Sequence, residues 1–162
     1  MDLSERLDAL EAEVRELRDI EAIRRLLSTY AFNADVGRVD EYLDGWTDDG
    51  VYNLSETMLL EGREQLGKLL SDPDGFSKTL IENRSQHLVA NLYIKVEGDT
   101  AWAEGYSVVT LLGDDGVKIF AAGYNHWNFV RAKGRWLMKL RHRRVIGGET
   151  WGGDVMNAYL TA

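Results

Sequence analysis

An α+β fold, with helices packed on one face of a curved antiparallel sheet, follows from two features of the chain. Apolar residues recur with a helical period in the N-terminal part and switch to a period of two from Gln86 onward. The strand-like part is then cut by three short turn sequences: Glu97-Gly98-Asp99, Gly113-Asp114-Asp115-Gly116 and Lys133-Gly134. Each reads as a hairpin, so four long strands form a meander. Helices first and strands afterwards is the segregated α+β order, not the alternating order of parallel sheets.

Taken in order, Leu3, Leu7, Leu10, Val14 and Leu17 alternate at spacings of four and three, a short a/d seam. Residues 1–18 therefore read as a heptad helix extension to a single domain spanning 1–162, packed on a neighbouring subunit or on that domain. Asp2 and Glu5 have capping-box spacing. The helical period continues through Ile20, Ile23, Leu27, Tyr30 and Ala34, and Gly37 supplies the stop. Val39, Tyr42, Leu43 and Trp46 predict a second short helix, ended by Asp48-Asp49-Gly50. Residues 51–54 and 58–60 predict a small hairpin, and 63–70 a third helix. Residues 71–84 hold the only proline and predict an irregular connection of the kind that forms a lid or mouth. Strands are predicted at 86–97, 100–112, 117–131 and 135–147. The Gly-rich tail from Gly147 is expected to loop over part of the molecule.

Composition narrows the function. A chain of 162 residues can bury roughly 70% of its unfolded surface. With 27 Asp and Glu against 19 Lys and Arg, the net charge of −8 repels nucleic acid and anionic membranes. No cysteine is present, which excludes disulfides, thiolate metal sites and a Cys nucleophile. No apolar run approaches the roughly 20 residues of a membrane span, and the N-terminus is charged and amphipathic. A cytoplasmic location is the default.

Simple hairpin register sorts the meander into faces. Pairing 97 with 100, 113 with 116 and 132 with 135 places His87, Asn91, Tyr106, Thr110, Asn125, His142 and Arg144 on one side, amid Val89, Ala121, Trp127, Met138 and Leu140. An apolar face with a few polar groups suits a pocket lining. The other side carries Tyr124, His126, Asn128, Arg141 and Arg143 with Leu88, Leu92, Ile94 and Val109, and suits a subunit interface. A single β-bulge would invert the assignment along a strand.

The run DIEAIRRLLSTYAFNADVGRVDEYLDGWTDDGVY, with a His-led strand and three more after it, resembles the SnoaL-like family of the nuclear transport factor 2-like superfamily. The likeness is nearest to its bile-acid and scytalone dehydratases and covers nearly the whole chain. It implies a conical, cystatin-like α+β barrel around a deep pocket. It also implies that Tyr30, Asp35 and His87 stand at the positions of a catalytic tyrosine, aspartate and strand histidine. Thr110 stands where the bile-acid enzyme has an aspartate, Arg144 near its pocket arginine, and the second histidine of scytalone dehydratase has no match. A homo-oligomer is implied, a trimer by analogy with the dehydratases or a dimer as elsewhere in the superfamily.

In that setting Asp35 would orient His87 and favour its protonated form, making a general base near neutral pH. Tyr30 would hydrogen-bond a substrate carbonyl and stabilise its enolate. Tyr106, Thr110, Asn125, His142, Arg144 and Trp127 would line the pocket for a small hydrophobic molecule. The expected activity is cofactor-free dehydration of a polycyclic or steroid-like hydroxy-carbonyl compound. Isomerase or cyclase chemistry in the same pocket is the alternative, as is non-catalytic binding of a small molecule. The residues alone also permit plainer roles: His87 as a structural histidine, Asp35 as a helix-end residue, Tyr30 as core. No spacing pre-arranges a metal site and no GxSxG elbow occurs, so neither metal nor serine chemistry is expected.

Overall fold

The computed structural model describes residues 2–82 and 84–148. Helix α1 runs from Leu3 to Asp35. Its start is fixed by a reciprocal cap: Glu5 N–H donates to the Asp2 carboxylate at 2.9 Å, and Asp2 N–H donates to the Glu5 carboxylate at 2.8 Å. The heptad positions Leu3, Leu7, Leu10, Val14 and Leu17 are all exposed, so this stretch does not pack on the described residues of its own domain. Burial begins with Ile23, Leu27, Tyr30, Ala31 and Ala34, which lay one stripe of α1 on the sheet. Between the two parts, Asp19 accepts from Arg131 Nη2 at 2.7 Å and from Trp136 Nε1 at 3.0 Å, pinning the helix to the sheet.

After Gly37, whose φ of 68° turns the chain, come α2 (Val39–Leu43), β1 (Trp46–Asn53), β2 (Leu59–Glu61) and α3 (Gly62–Ser71). The second helix is shorter than predicted, and Asp48-Asp49-Gly50 lies inside a strand. The cause is long-range. Trp46, 2% exposed, pairs with Met138, a register shift absorbs the acidic pair, and the Trp46 ring occupies the space that a Cβ on Gly50 would need. The connection expected to be irregular contains α4 (Phe76–Glu82), preceded by a turn in which Asp72 accepts from Asp74 N–H at 3.0 Å. Leu80, 5% exposed, anchors α4 over the sheet.

The meander is β3 (Gln86–Glu97), β4 (Thr100–Gly113), β5 (Gly116–Ala132) and β6 (Arg135–Val145). The six strands lie in the order β2-β1-β6-β5-β4-β3. β1 runs parallel to β6, so the sheet is mixed, not wholly antiparallel. Register shifts interrupt each hairpin of the meander: between Ala90 and Tyr93, between Val109 and Thr110, and between Asn128 and Phe129. Such bulges sharpen the twist, and here they accompany a sheet curled around the C-terminal half of α1. Trp46, Trp127, Tyr42 and Phe129 fill the space between helix and sheet. The glycine-rich tail lies, from residue 149, outside the described residues.

Candidate functional site

The last turn of α1 meets the start of β3. Asp35 ends the helix, where its charge faces the negative end of the helix dipole and needs compensation. Three donors provide it. The His87 ring Nδ1 lies 2.6 Å from Asp35 Oδ1, His87 N–H donates to Oδ2 at 2.9 Å, and Ser85 Oγ donates to Oδ1 at 2.8 Å. Burial alone would raise the Asp35 pKa, but the bonds from the His87 ring, the His87 backbone and Ser85 outweigh it and hold the carboxyl below the usual range. With Nδ1 committed to the carboxylate, Nε2 is the ring nitrogen of His87 available to a ligand.

His87 lines a narrow cavity between α1 and the sheet, shared with Tyr30, Tyr42, Tyr52, Leu80 and Arg141; it encloses about 510 Å³ of atom-free space including its opening, of which about 40 Å³ can be reached by the centre of a water molecule. Tyr30 stands one turn before Asp35 on the buried stripe. Its hydroxyl accepts from Arg141 Nη1 at 2.5 Å, which leaves the phenolic proton free to be donated. Arg141, 3% exposed, also donates through Nε to Asn125 Oδ1 at 2.9 Å, and Asn125 Nδ2 in turn donates to Ser107 Oγ at 2.9 Å. Its guanidinium lies 4.7 Å from the Tyr52 ring centroid, 5.3 Å from Tyr30 and 5.7 Å from Trp127. Burial pushes the Tyr42 and Tyr52 hydroxyls upward, so both phenols stay protonated across the neutral range.

Tyr30, Asp35 and His87 are thus brought together. Asn125 and Trp127 lie on the cavity side of the sheet, both at 1% exposure or less, but beneath the cavity wall and not in it. The other expected lining residues do not face the cavity. His87 pairs with Val109 and not Thr110, Tyr106 pairs with Tyr124, and Arg144 with Tyr124, so Tyr106, Thr110 and Arg144 lie on the outer side. His142 pairs with His126 on that side too, and burial together with the nearby Arg144 cation lowers its pKa. Arg144 instead donates to Asn53 Oδ1 at 2.8 Å, tying β6 to β1. The physical reason is the bulges: each adds one residue and exchanges the two faces beyond it. Arg141 and Arg143, expected on the outer face, therefore point inward. Because the run Arg141-His142-Arg143-Arg144 offers a cation at both parities, register alone could choose between them. Ser85 carried no sequence signal beyond standing two residues before His87. Among the described residues no three of His, Cys, Asp and Glu are grouped so as to hold a metal ion, and no helix is long and apolar enough to cross a membrane.

Helices laid in the hollow of a curled mixed sheet, with a polar cluster at the bottom of an apolar cavity, define the cystatin-like fold of the NTF2-like superfamily. The chain belongs to the SnoaL-like domain family, whose sequence profile matches residues 15–142. Among solved structures, an NTF2-like protein with a cystatin-like fold from Novosphingobium aromaticivorans is 26% identical over 96% of this chain and 97% of its own, with a TM-score of 0.85. A scytalone dehydratase-like protein from the same organism is 19% identical, covering 80% and 85% of the two chains, with a TM-score of 0.68. A protein from Catenulispora acidiphila in complex with S-DNPA is 21% identical, covering 86% and 96%, with a TM-score of 0.69. The last two are likenesses of fold. No curated protein matches the chain in sequence.

Proposed function

We propose that the protein is a cofactor-independent lyase in which the Asp35–His87 pair is the general base. The observation that supports this most is the double grip of Asp35 on His87, through ring and backbone, with the other ring nitrogen left for a ligand of the cavity. A purely structural histidine gains nothing from that spare nitrogen beside an apolar cavity.

In this reading a hydrophobic hydroxy-carbonyl compound, polycyclic or steroid-like, enters the cavity. His87 Nε2 removes the proton α to the carbonyl, and Asp35 stabilises the imidazolium that forms. Tyr30, polarised by the Arg141 cation at its oxygen, donates to the carbonyl oxygen as enolate charge develops. The enolate expels the β-hydroxyl, which leaves as water with the proton returned from His87. If nothing leaves, the same proton is returned to another carbon and the outcome is isomerisation.

The test is exchange of the α-proton for deuterium in D₂O and loss of water, both followed by NMR on a panel of cyclic hydroxy-ketones. Wild type is expected to catalyse exchange, and His87→Gln and Asp35→Asn to lose about 10²–10⁴-fold, the usual contribution of a positioned acid–base group. Exchange at wild-type rate in both variants would refute the base. Ligand binding with no exchange in wild type would make the protein a small-molecule carrier.

A further inference from the structure

Beyond the dyad, the cavity holds a second polar group with unmet valence. Arg143 is 8% exposed; its guanidinium meets the Tyr52 hydroxyl, but its Nε and Nη2 have no hydrogen-bond partner among the described residues. These two atoms form one edge of the guanidinium, the edge whose parallel N–H bonds match the two oxygens of a carboxylate. No carboxylate of the described residues forms an ion pair with Arg143. Arg141, in the same cavity, has only the neutral acceptors Tyr30 and Asn125. Asp35, for its part, is engaged by His87 and Ser85. The protein as a whole carries a net charge of −8, yet this cavity gathers two guanidinium cations with no ion-paired carboxylate among the described residues.

A buried arginine that cannot shed its proton is expensive when unpaired. Its position says what would pair it. Arg143 lines both the narrow cavity and a wider apolar vestibule in front of it, where Leu54, Leu69 and Phe120 are shared walls and the atom-free space is about 1,120 Å³. On the sheet it lies on β6, with β4 and β5 between it and His87 on β3. An anion held on its free edge would therefore sit where cavity and vestibule join, separate from the base.

The geometry points to a substrate that is itself an acid: an apolar molecule bearing an ionised carboxylate, which the Nε/Nη2 edge of Arg143 grips while the hydrocarbon body lies along Leu54, Leu69 and Phe120. This specifies the substrate class of the site proposed above and rests on that reading for the chemistry after binding. Arg143 is a substrate-binding residue here, with no part in proton transfer.

The experiment compares 2-naphthoate with 2-naphthamide, a matched planar pair differing in charge, by titration calorimetry at neutral pH. Wild type is expected to bind the acid about tenfold or more tightly than the amide, since bonds to a charged group are the stronger kind. Arg143→Gln should abolish that preference, while His87→Gln should retain it. Without ligand, Arg143→Gln should melt no lower than wild type, because an unpaired buried charge has gone. If Arg143→Gln does not fold, Arg143→Lys carries the test: it keeps the charge, loses the planar edge, and should shrink the preference. An equal response to acid and amide, including none to either, overturns the assignment, as does a preference that survives in the Arg143 variants. Failure of the deuterium-exchange test would leave the acid preference in place, so the two readings fail separately.

Discussion

Two histidine–carboxylate pairs lie on opposite sides of the same sheet, and their difference separates a candidate site from a strut. On the cavity side, His87 Nδ1 meets Asp35 with side chains 15% and 14% exposed. On the outer side, His126 Nδ1 meets Glu104 with side chains 2% and 1% exposed. The chemistry of the contact is the same; the second ring nitrogen differs. In His126 it is 2.6 Å from Asn128 Oδ1, so the imidazole is held at both ends within a sealed surface. In His87 it is left beside a cavity that also holds a tyrosine hydroxyl and two arginines. A histidine beside a carboxylate is therefore weak evidence of function until the other nitrogen has been followed.

The sharpest way to break this contrast is to remove one member of each pair and read stability beside turnover. Glu104→Ala leaves the buried His126 Nδ1 without its partner, and a buried polar group left unsatisfied costs about 1–3 kcal/mol. Urea unfolding should show the midpoint falling by a corresponding amount. His87→Gln, on the partly open side, should cost less than Glu104→Ala while removing the proposed turnover. If the two variants lose stability equally, His87 is as structural as His126 and the contrast disappears.

The same comparison shows what the sequence could and could not disclose. Tyr30, Asp35 and His87 were legible through the family resemblance, and their placement on a helical stripe and at a strand start needs no knowledge of register. The strands were legible too, since glycine-bearing turns mark their ends, and the first pair of each hairpin is as expected: Glu97 with Thr100, Gly113 with Gly116, Ala132 with Arg135. Tyr93 with Glu104 and Thr110 with Ile119 also stand as expected. Past each bulge every pair is displaced by one residue. The first two displacements cancel at β5, which is why Asn125 and Trp127 remain with His87. The third does not, and it exchanges His142 and Arg144 for Arg141 and Arg143. Asn91 was the one local hint, since asparagine tolerates the positive φ of 52° that it adopts in the first bulge. The pairing of β1 with β6 spans most of the chain and left no local trace.

A smaller effect should distinguish the two faces by pH. His142 lies on the outer side, where burial, the Arg144 cation and the neighbouring His126 lower its pKa, with Glu56 only partly offsetting them. The folded state then binds this proton at lower pH than the unfolded chain, whose value is near 6.5. As pH falls below 6.5 the unfolded state takes up the proton first, so stability declines until the folded value is passed. Melting temperature measured against pH should show that decline in wild type, and His142→Gln should flatten it. An unchanged profile in the variant would remove His142 as its cause.

The smallest effect belongs to the cavity side and appears only in acid. Asp35 has a folded pKa below its ordinary 3.8, so here the unfolded chain holds its proton more tightly than the folded one. The stability Asp35 contributes is therefore complete above 3.8 and is lost as pH falls through the lower folded value. Asp35→Asn should lack that acid-side decline, so the gap in melting temperature between wild type and variant should be constant near neutrality and narrow below about pH 4. Ser85→Ala should shift the narrowing toward higher pH, because one of the three donors holding the carboxylate charged has gone. A gap that stays constant to the acid limit would mean that those donors do not hold Asp35 ionised, and the contrast between a primed pair and a sealed one would then rest on geometry alone.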